Sequence, residues 1–275
     1  MLNLIRSDFR RVLRDKLTFI LCIIGFGFSI FTPLLYKGIF SMSGSDPMTE
    51  TLIGSINAKT IFFSSFSTGN NFGLIIPVLL AIVLCKDFSF GTVRNKIIGG
   101  HKRTNIFISM YVVCATVMIG VVLLHAFLSL FVSLLFFNYQ SAPFEFSDAV
   151  YFVISLLLEV VVYLFLAALL TWMCATFKNV GIAIVLYVAL SFIMTIVSTI
   201  IAVAIEIMSV SPNNDNVLDI LHFVQRINLF NAAATIGNGD SYKLIDILYI
   251  IVPAFVGIAG LLGLGIKKFN KKDLK

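Results

Sequence analysis

The sequence predicts an all-α protein that crosses a membrane six times. Of its 275 residues, 59% are hydrophobic and 12% are charged, which is far from the usage of soluble globular domains. The apolar residues come in repeated runs of roughly twenty, the length that crosses about 30 Å of hydrocarbon. Such runs form helices or closed barrels in lipid, and the period-two alternation of barrel strands is absent. We therefore expect residues 1–275 to form a single transmembrane domain.

The six predicted spans differ in length. The third, fourth and fifth are longer than the bilayer core requires, so we expect them to tilt or to project beyond it. The first span is expected to be retained, because no small-residue cleavage pattern follows its long apolar run. In chain order, the spans are predicted at residues 17–36, 66–85, 106–137, 150–177, 180–207 and 247–266.

Charge predicts the orientation of these spans. Most of the 20 Lys and Arg fall before the first span, between the second and third, and after the sixth, whereas the connections on the other side are richer in acids. The positive-inside rule then places both termini in the cytoplasm. The net charge of +6 needs no nucleic acid to explain it, and a basic inner face suits the anionic headgroups of membrane lipid.

Two segments outside the spans have helical patterns. Residues 1–16 place apolar side chains on one arc and Arg6, Arg10 and Arg14 on another, which predicts an interfacial helix; the alternative is an ordinary charged flank. Residues 208–246 begin with a turn-rich run and continue with a strongly apolar one. We expect that second run to form an external capping helix or a short re-entrant helix.

Polar residues precede the apolar core of the second span. This core, residues 72–85, is too short to cross the bilayer, so the span must draw in the six residues before it. Ser67, Thr68, Asn70 and Asn71 would then lie at membrane depth, where polar groups face protein or water. They are candidates for lining a transport pathway. The alternative is a short span that bends at Pro77 in a thinned bilayer.

Two ionisable residues lie deeper, and we add them to the pathway-lining candidates. His125 and Glu159 are predicted at similar depths in an antiparallel pair of spans. They could form a charge-assisted pair, or each could be satisfied separately by Ser or backbone groups.

Several chemistries are excluded by missing motifs. The chain has no G-x-x-x-x-G-K-[ST] loop for nucleotide phosphates and no H-E-x-x-H for zinc. Its four cysteines have no C-x-x-C spacing and read as core residues. We therefore predict no enzyme activity, no catalytic residue, no metal site and no cofactor in this chain. The glycines of the last span, Gly257, Gly260, Gly263 and Gly265, predict a close helix-packing face.

The connection at residues 86–105 concentrates charge and glycine. Asp87 or Ser89 could cap a short helix there, and Gly99 and Gly100 would end it. Val93, Ile97 and Ile98 would give that helix an apolar stripe. Such a helix could dock in a groove of a cytoplasmic partner; the alternative is a basic loop that rests on anionic lipid.

The same connection carries a family resemblance. Its run Asp87-Phe88-Ser89-Phe90-Gly91-Thr92, followed by Val93-Arg94, resembles the acid-x-x-x-Gly-Thr and Arg signature of ABC-type-two exporter permeases. Small bacterial permeases linked to peptide-antibiotic immunity and efflux are the most similar members. This chain has Asp87 where Glu is commoner, and it lacks the Lys that often begins the third span. The resemblance covers the whole chain, including the order of spans and outer helices.

The resemblance implies a function and a set of partners. The chain would be a multi-pass permease of the bacterial cytoplasmic membrane that pairs with a second copy or a paralogue. Separate ABC ATPase subunits would bind ATP and Mg, and an amphiphilic antimicrobial peptide, drug or lipid-like compound would move outward. The alternatives are an ATPase-independent secondary transporter and a membrane scaffold or sensor. The residues implied in ATPase coupling are Asp87, Phe90, Gly91, Thr92, Arg94, Ile97, Ile98 and Arg103.

Overall fold

The computed structural model describes residues 1–42, 56–69, 71–89, 91–140, 143–177, 179–209, 215–237 and 242–271. Within these ranges, the regular secondary structure is entirely α-helical. The helices are α1 (Leu2–Arg14), α2 (Lys16–Met42), α3 (Ala58–Ser64), α4 (Asn71–Ser89), α5 (Thr92–Ile98), α6 (Arg103–Ser133), α7 (Phe146–Phe177), α8 (Val180–Ser209), α9 (Asp215–Ile227), α10 (Leu229–Thr235) and α11 (Leu244–Lys271).

Five of the helices in the described ranges, α2, α6, α7, α8 and α11, are long and apolar enough to cross a membrane. Helices α4 and α5 pass the same test only as a pair, with a bend of 47° between them. The prediction of a polytopic helical membrane protein is thus confirmed. The sixth span stays a prediction, because it depends on how this bent pair lies in the bilayer.

Helices α6 and α7 each supply more of the buried core than any other helix, and α11 packs across both of them. Two glycines allow that approach. A Cβ atom at Gly257 would lie 2.6 Å from the ring of Phe165, and one at Gly265 would collide with the ring of Phe107. Gly260 and Gly263 face open space instead. The predicted glycine packing face is therefore right for two residues and wrong for the other two.

The second predicted span begins five residues later than expected. Residues 65–69 form turns, and α4 starts only at Asn71. Serine side chains favour this break, because the hydroxyls of Ser64 and Ser65 both donate to the carbonyl of Ile61 and compete with continued helix. The polar stretch is therefore not the outer turn of a longer span.

The short helix α3 was not predicted. It begins with a capping box, in which the Asn57 side chain accepts from the Thr60 N–H and the Thr60 side chain accepts from the Asn57 N–H. Its Phe62 and Phe63 are buried in the core. The predicted loop at residues 41–51 lies almost entirely outside the described residues.

The predicted external helix is present as two helices that break at Asn228. The Asn228 side chain donates to Ser198 Oγ at 2.7 Å and to the Met194 carbonyl at 3.1 Å, and it accepts from the Phe230 N–H. Ser198 and Met194 both lie on α8. Asn228 therefore ends α9 and turns α10 into the bundle, where Leu229 is buried.

Helix α1 and the last turns of α11 lie at the same end of the bundle. The Arg103 guanidinium at the start of α6 donates to the Asn270 carbonyl at the end of α11, at 3.0 Å. The rings of Phe88 and Phe107 both contact the ring of Phe269. Helix α1 joins the same group, since Leu4 belongs to the apolar cluster that contains Phe269. We call this the basic end.

Candidate functional site

The candidate site is the short helix α5 at the basic end. Gly91 precedes the helix with a φ of +67°, a left-handed conformation that glycine adopts without steric cost. A Schellman motif ends it: the His101 N–H donates to the Lys96 carbonyl, and the Gly100 N–H, at a φ of +84°, donates to the Ile97 carbonyl. The prediction that Gly99 and Gly100 terminate this helix is confirmed.

One face of α5 is fixed to the bundle by apolar contacts. Val93 is buried among side chains from α1, α6 and α11, and Ile97 packs against the same cluster from its edge. The predicted apolar stripe holds for these two residues. Ile98 departs from it and leaves 74% of its side chain exposed.

Charged groups join α5 to α1. Lys96 on α5 lies 2.6 Å from an oxygen of Asp8, and the Ser109 hydroxyl on α6 donates to the other Asp8 oxygen at 2.7 Å. Arg11 pairs with Asp87 at the end of α4. Asp8 and Asp87 are only 3% and 1% exposed, so the carboxylates of this group of five residues, the ionic cluster, are shielded from solvent.

Burial makes the cations of this cluster dependent on their partners. Desolvation lowers the pKa of Lys96 from its ordinary value, although the Asp8 carboxylate opposes the shift. Desolvation likewise lowers the pKa of Arg11, against the opposing effect of Asp8 and Asp15. Each charge would be costly in this environment without its counter-ion. The cluster therefore holds α1, α4, α5 and α6 in one arrangement.

A second ion pair fixes the junction of α1 and α2. The Asp15 side chain accepts from the Leu17 N–H at 2.9 Å, as an N-cap of α2, and it contacts Lys86 Nζ at 3.0 Å. Burial acts to raise the pKa of Asp15, but the Leu17 and Lys86 interactions outweigh it and the pKa is lowered. The turn into the first span is therefore tied to the end of α4.

The outward face of α5 carries the side chains that a partner could contact. Arg94, Asn95 and Ile98 are exposed, and Thr92 is half-buried. Among the other predicted coupling residues, Phe90 lies outside the described residues. Arg103 contacts α11 rather than projecting freely.

Two caps that the sequence predicts, Asp87 for α5 and Thr104 for α6, are wrong. Asp87 does not cap α5, because Arg11 engages its carboxylate and Gly91 precedes the helix without a side-chain cap. Thr104 does not cap α6, which begins one residue earlier, at Arg103, after an uncapped Lys102. Arg11 outcompetes a backbone N–H for the Asp87 carboxylate because their pair is charge-assisted.

The structure describes only some of the predicted pathway-lining residues between α3 and α4, so a shared pathway surface there stays a prediction. Thr68 is buried and Ser67 half-buried, both in the turn before α4. Asn70 lies outside the described residues, and Asn71 begins α4.

The predicted pair of His125 and Glu159 is not formed. His125 Nδ1 lies 2.8 Å from Ser29 Oγ and 3.1 Å from the Gly25 carbonyl, both on α2. Glu159 is fully buried, and within the described ranges neither of its carboxylate oxygens has a hydrogen-bond partner. The alternative prediction was that each side chain finds its own Ser or backbone partner. It holds for His125 and fails for Glu159.

Sequence reasoning missed four members of the ionic cluster: Asp8, Arg11, Lys96 and Ser109. One signal was present, since Asp8 is an isolated acid within a strongly basic amphipathic helix. Its helical position, on the side opposite Arg6 and Arg10, indicates a partner inside the protein. No group of three His, Cys, Asp or Glu side chains in the described ranges is placed to hold a metal ion.

Comparison with known proteins gives one match. A family model described as protein of unknown function (DUF2705) matches residues 51–275, most of the chain. The chain belongs to the DUF2705 family. No curated protein matches it. The DUF2705 match includes α5 and the partners of α1 in the ionic cluster, but it begins after α1 and α2.

Proposed function

We propose that this chain is the membrane-spanning permease subunit of an ATP-driven exporter. One observation carries the proposal: α5 is fixed to the bundle on one face and exposes Arg94, Asn95 and Ile98 on the other. A short helix held in this way suits docking in a groove of a cytoplasmic protein. In the resembled permeases, that protein is the ATPase subunit.

In this proposal, the partner hydrolyses ATP with Mg and moves α5. Val93 transmits the movement to α6 and α11, and Lys96 transmits it to Asp8 on α1. Because packed cores and ion pairs switch between discrete arrangements, a small displacement could change access between two permease halves. The second half is another copy or a paralogue, and the cargo is an amphiphile that moves outward. The basic end then faces the cytoplasm.

The test is reconstitution with the ATPase encoded beside this gene, which should contain G-x-x-x-x-G-K-[ST]. We expect Ile98→Asp to weaken assembly and stimulated ATP hydrolysis by about tenfold or more, because truncating an apolar anchor in an interface has effects of this size. Lys271→Asp, at an exposed residue of the same end, is the matched control and should act like the unmodified chain. Equal assembly of all three proteins would contradict the proposal.

One observation favours a secondary transporter as the second candidate. Glu159 is a fully buried carboxyl group in α7 with no hydrogen-bond partner among the described residues. Ionisable groups at membrane depth often belong to ion or proton pathways. Transport that is abolished by Glu159→Gln and needs no ATPase would favour this candidate over the first.

A further inference from the structure

An exposed groove of about 570 Å³ runs along the outer face of α1. Arg6, Arg10 and Arg14 follow one another at four-residue intervals, so their side chains extend from the same face of the helix. Among the residues that the structure describes, no acidic side chain borders the groove. The residues that line it are Asn3, Arg6, Ser7, Arg10, Arg11 and Arg14.

Arg11 pairs with Asp87, but the other three arginines of this groove have no counter-ion within the described residues. The two acids of the segment, Asp8 and Asp15, are occupied by Lys96 and Lys86. Within the described part of the chain, no carboxylate forms an ion pair with Arg6, Arg10 or Arg14. Like charges four residues apart on a helix repel each other, so an external anion would stabilise this face.

Exposed apolar residues on α1 indicate where that anion comes from. Leu2 and Leu13 are 81% and 51% exposed, and their helical positions lie beside Arg6. A helix with apolar side chains next to arginines lies in the headgroup region, with its leucines toward the acyl chains. Phe19 and Ile20, near the start of α2, are exposed apolar residues as well.

We propose that the α1 groove binds the phosphate groups of anionic membrane lipids. Guanidinium groups match phosphate oxygens with paired hydrogen bonds, and several along one helix could bridge neighbouring headgroups. The adjacent leucines select a lipid over a soluble phosphate, because only a lipid covers them. The opposite face of α1 carries Asp8, so a bound lipid would also steady the ionic cluster and α5. This site does not depend on the proposed exporter function.

Lipid binding can be measured on the full chain by native mass spectrometry in mild detergent, with added phosphatidylglycerol, phosphatidylcholine or inorganic phosphate. We expect a preference for phosphatidylglycerol. The triple substitution Arg6→Gln, Arg10→Gln, Arg14→Gln should weaken its binding by about tenfold or more, since each basic residue at a membrane surface contributes substantially to the attraction of anionic lipid.

Two matched variants distinguish a specific lipid site on α1 from general electrostatic attraction between the basic end and anionic lipid. Lys102→Gln, Lys267→Gln, Lys271→Gln removes the same charge from exposed residues of the same end and should change the binding less than about twofold. Replacing the three arginines by lysine keeps the charge but loses the paired hydrogen bonds, so it should weaken binding, though less than the glutamine substitutions do. The proposal is overturned if both glutamine variants lose lipid equally, if neither does, or if inorganic phosphate binds as tightly as the lipid.

Discussion

At the residue scale, the ionic cluster depends on pairs that are remote in sequence. Arg11 and Asp87 lie 76 positions apart, and Ser109 and Asp8 lie 101 apart. The helical periodicity of residues 1–16 predicts α1 correctly, but it contains no information on which element covers Asp8. For this reason the sequence predicts the helix α5 and its glycine end, whereas the charges that hold it in place emerge only from the fold.

The ionic cluster makes Asp87→Asn a test of buried pairing. The substitution leaves Arg11 without its charged partner in a shielded site, so we expect a loss of about 3 kcal/mol in the free energy of unfolding, the lower end for a buried pair because Arg11 is partly exposed. Thermal unfolding of the purified chain in detergent measures it.

Asp246→Asn is the matched control for that prediction. Asp246 pairs with Arg226 at 3.1 Å, but these side chains are 31% and 48% exposed, so the loss should stay below about 1 kcal/mol. Equal losses for both variants would mean that the burial of the ionic cluster does not strengthen its pairing.

At the element scale, hydropathy predicts the long helices because lipid leaves their backbones few alternatives. The predicted fourth span, residues 150–177, ends at the same Phe177 as α7. The turn at residues 65–69 was missed, because Phe66 reads as apolar while the bonds from Ser64 and Ser65 that break the helix are local. The short α3 was also missed. Side-chain hydrogen bonds determine where the turn at residues 65–69 lies and where α3 begins, and a hydropathy pattern contains no information on such bonds.

The glycines of α11 give an element-scale prediction. Gly257→Ala places a methyl group against Phe165 and should lower the free energy of unfolding by about 1 to 3 kcal/mol, the usual cost of overpacking. Gly260→Ala meets nothing within 4 Å and should be neutral or stabilising by about 0.5 to 1 kcal/mol, since alanine favours helix. Thermal unfolding compares the two. If Gly260→Ala lowered the free energy of unfolding more than Gly257→Ala does, the packing face of α11 would not be the one that contains Gly257.

At the scale of the whole molecule, an apolar cluster shared by α1, α5, α6 and α11 puts α1, the last turns of α11 and the candidate site at one end of the bundle. This arrangement agrees with the charge distribution that predicts cytoplasmic termini. Charge asymmetry alone assigns that end to the cytoplasm, because the fold has the same shape in either orientation.

Orientation can be tested with single cysteines. Arg94→Cys and Lys267→Cys should react with a membrane-impermeant maleimide only after cells are permeabilised, and Glu145→Cys should react in intact cells. All three positions are exposed in the protein. The unmodified chain, whose native cysteines are buried or half-buried, provides the background. Labelling of residue 94 in intact cells would reverse the orientation and remove the basis for a cytoplasmic partner.

The tie between α1 and the ionic cluster also has a consequence for biosynthesis. Asp8 leaves the ribosome long before Ser109, its hydroxyl donor. We therefore expect α1 to lack its contact with α6 until the first two spans have been inserted at the translocon. A nascent chain arrested before residue 96 should leave this helix open to protease, whereas one arrested well beyond residue 109 should protect it.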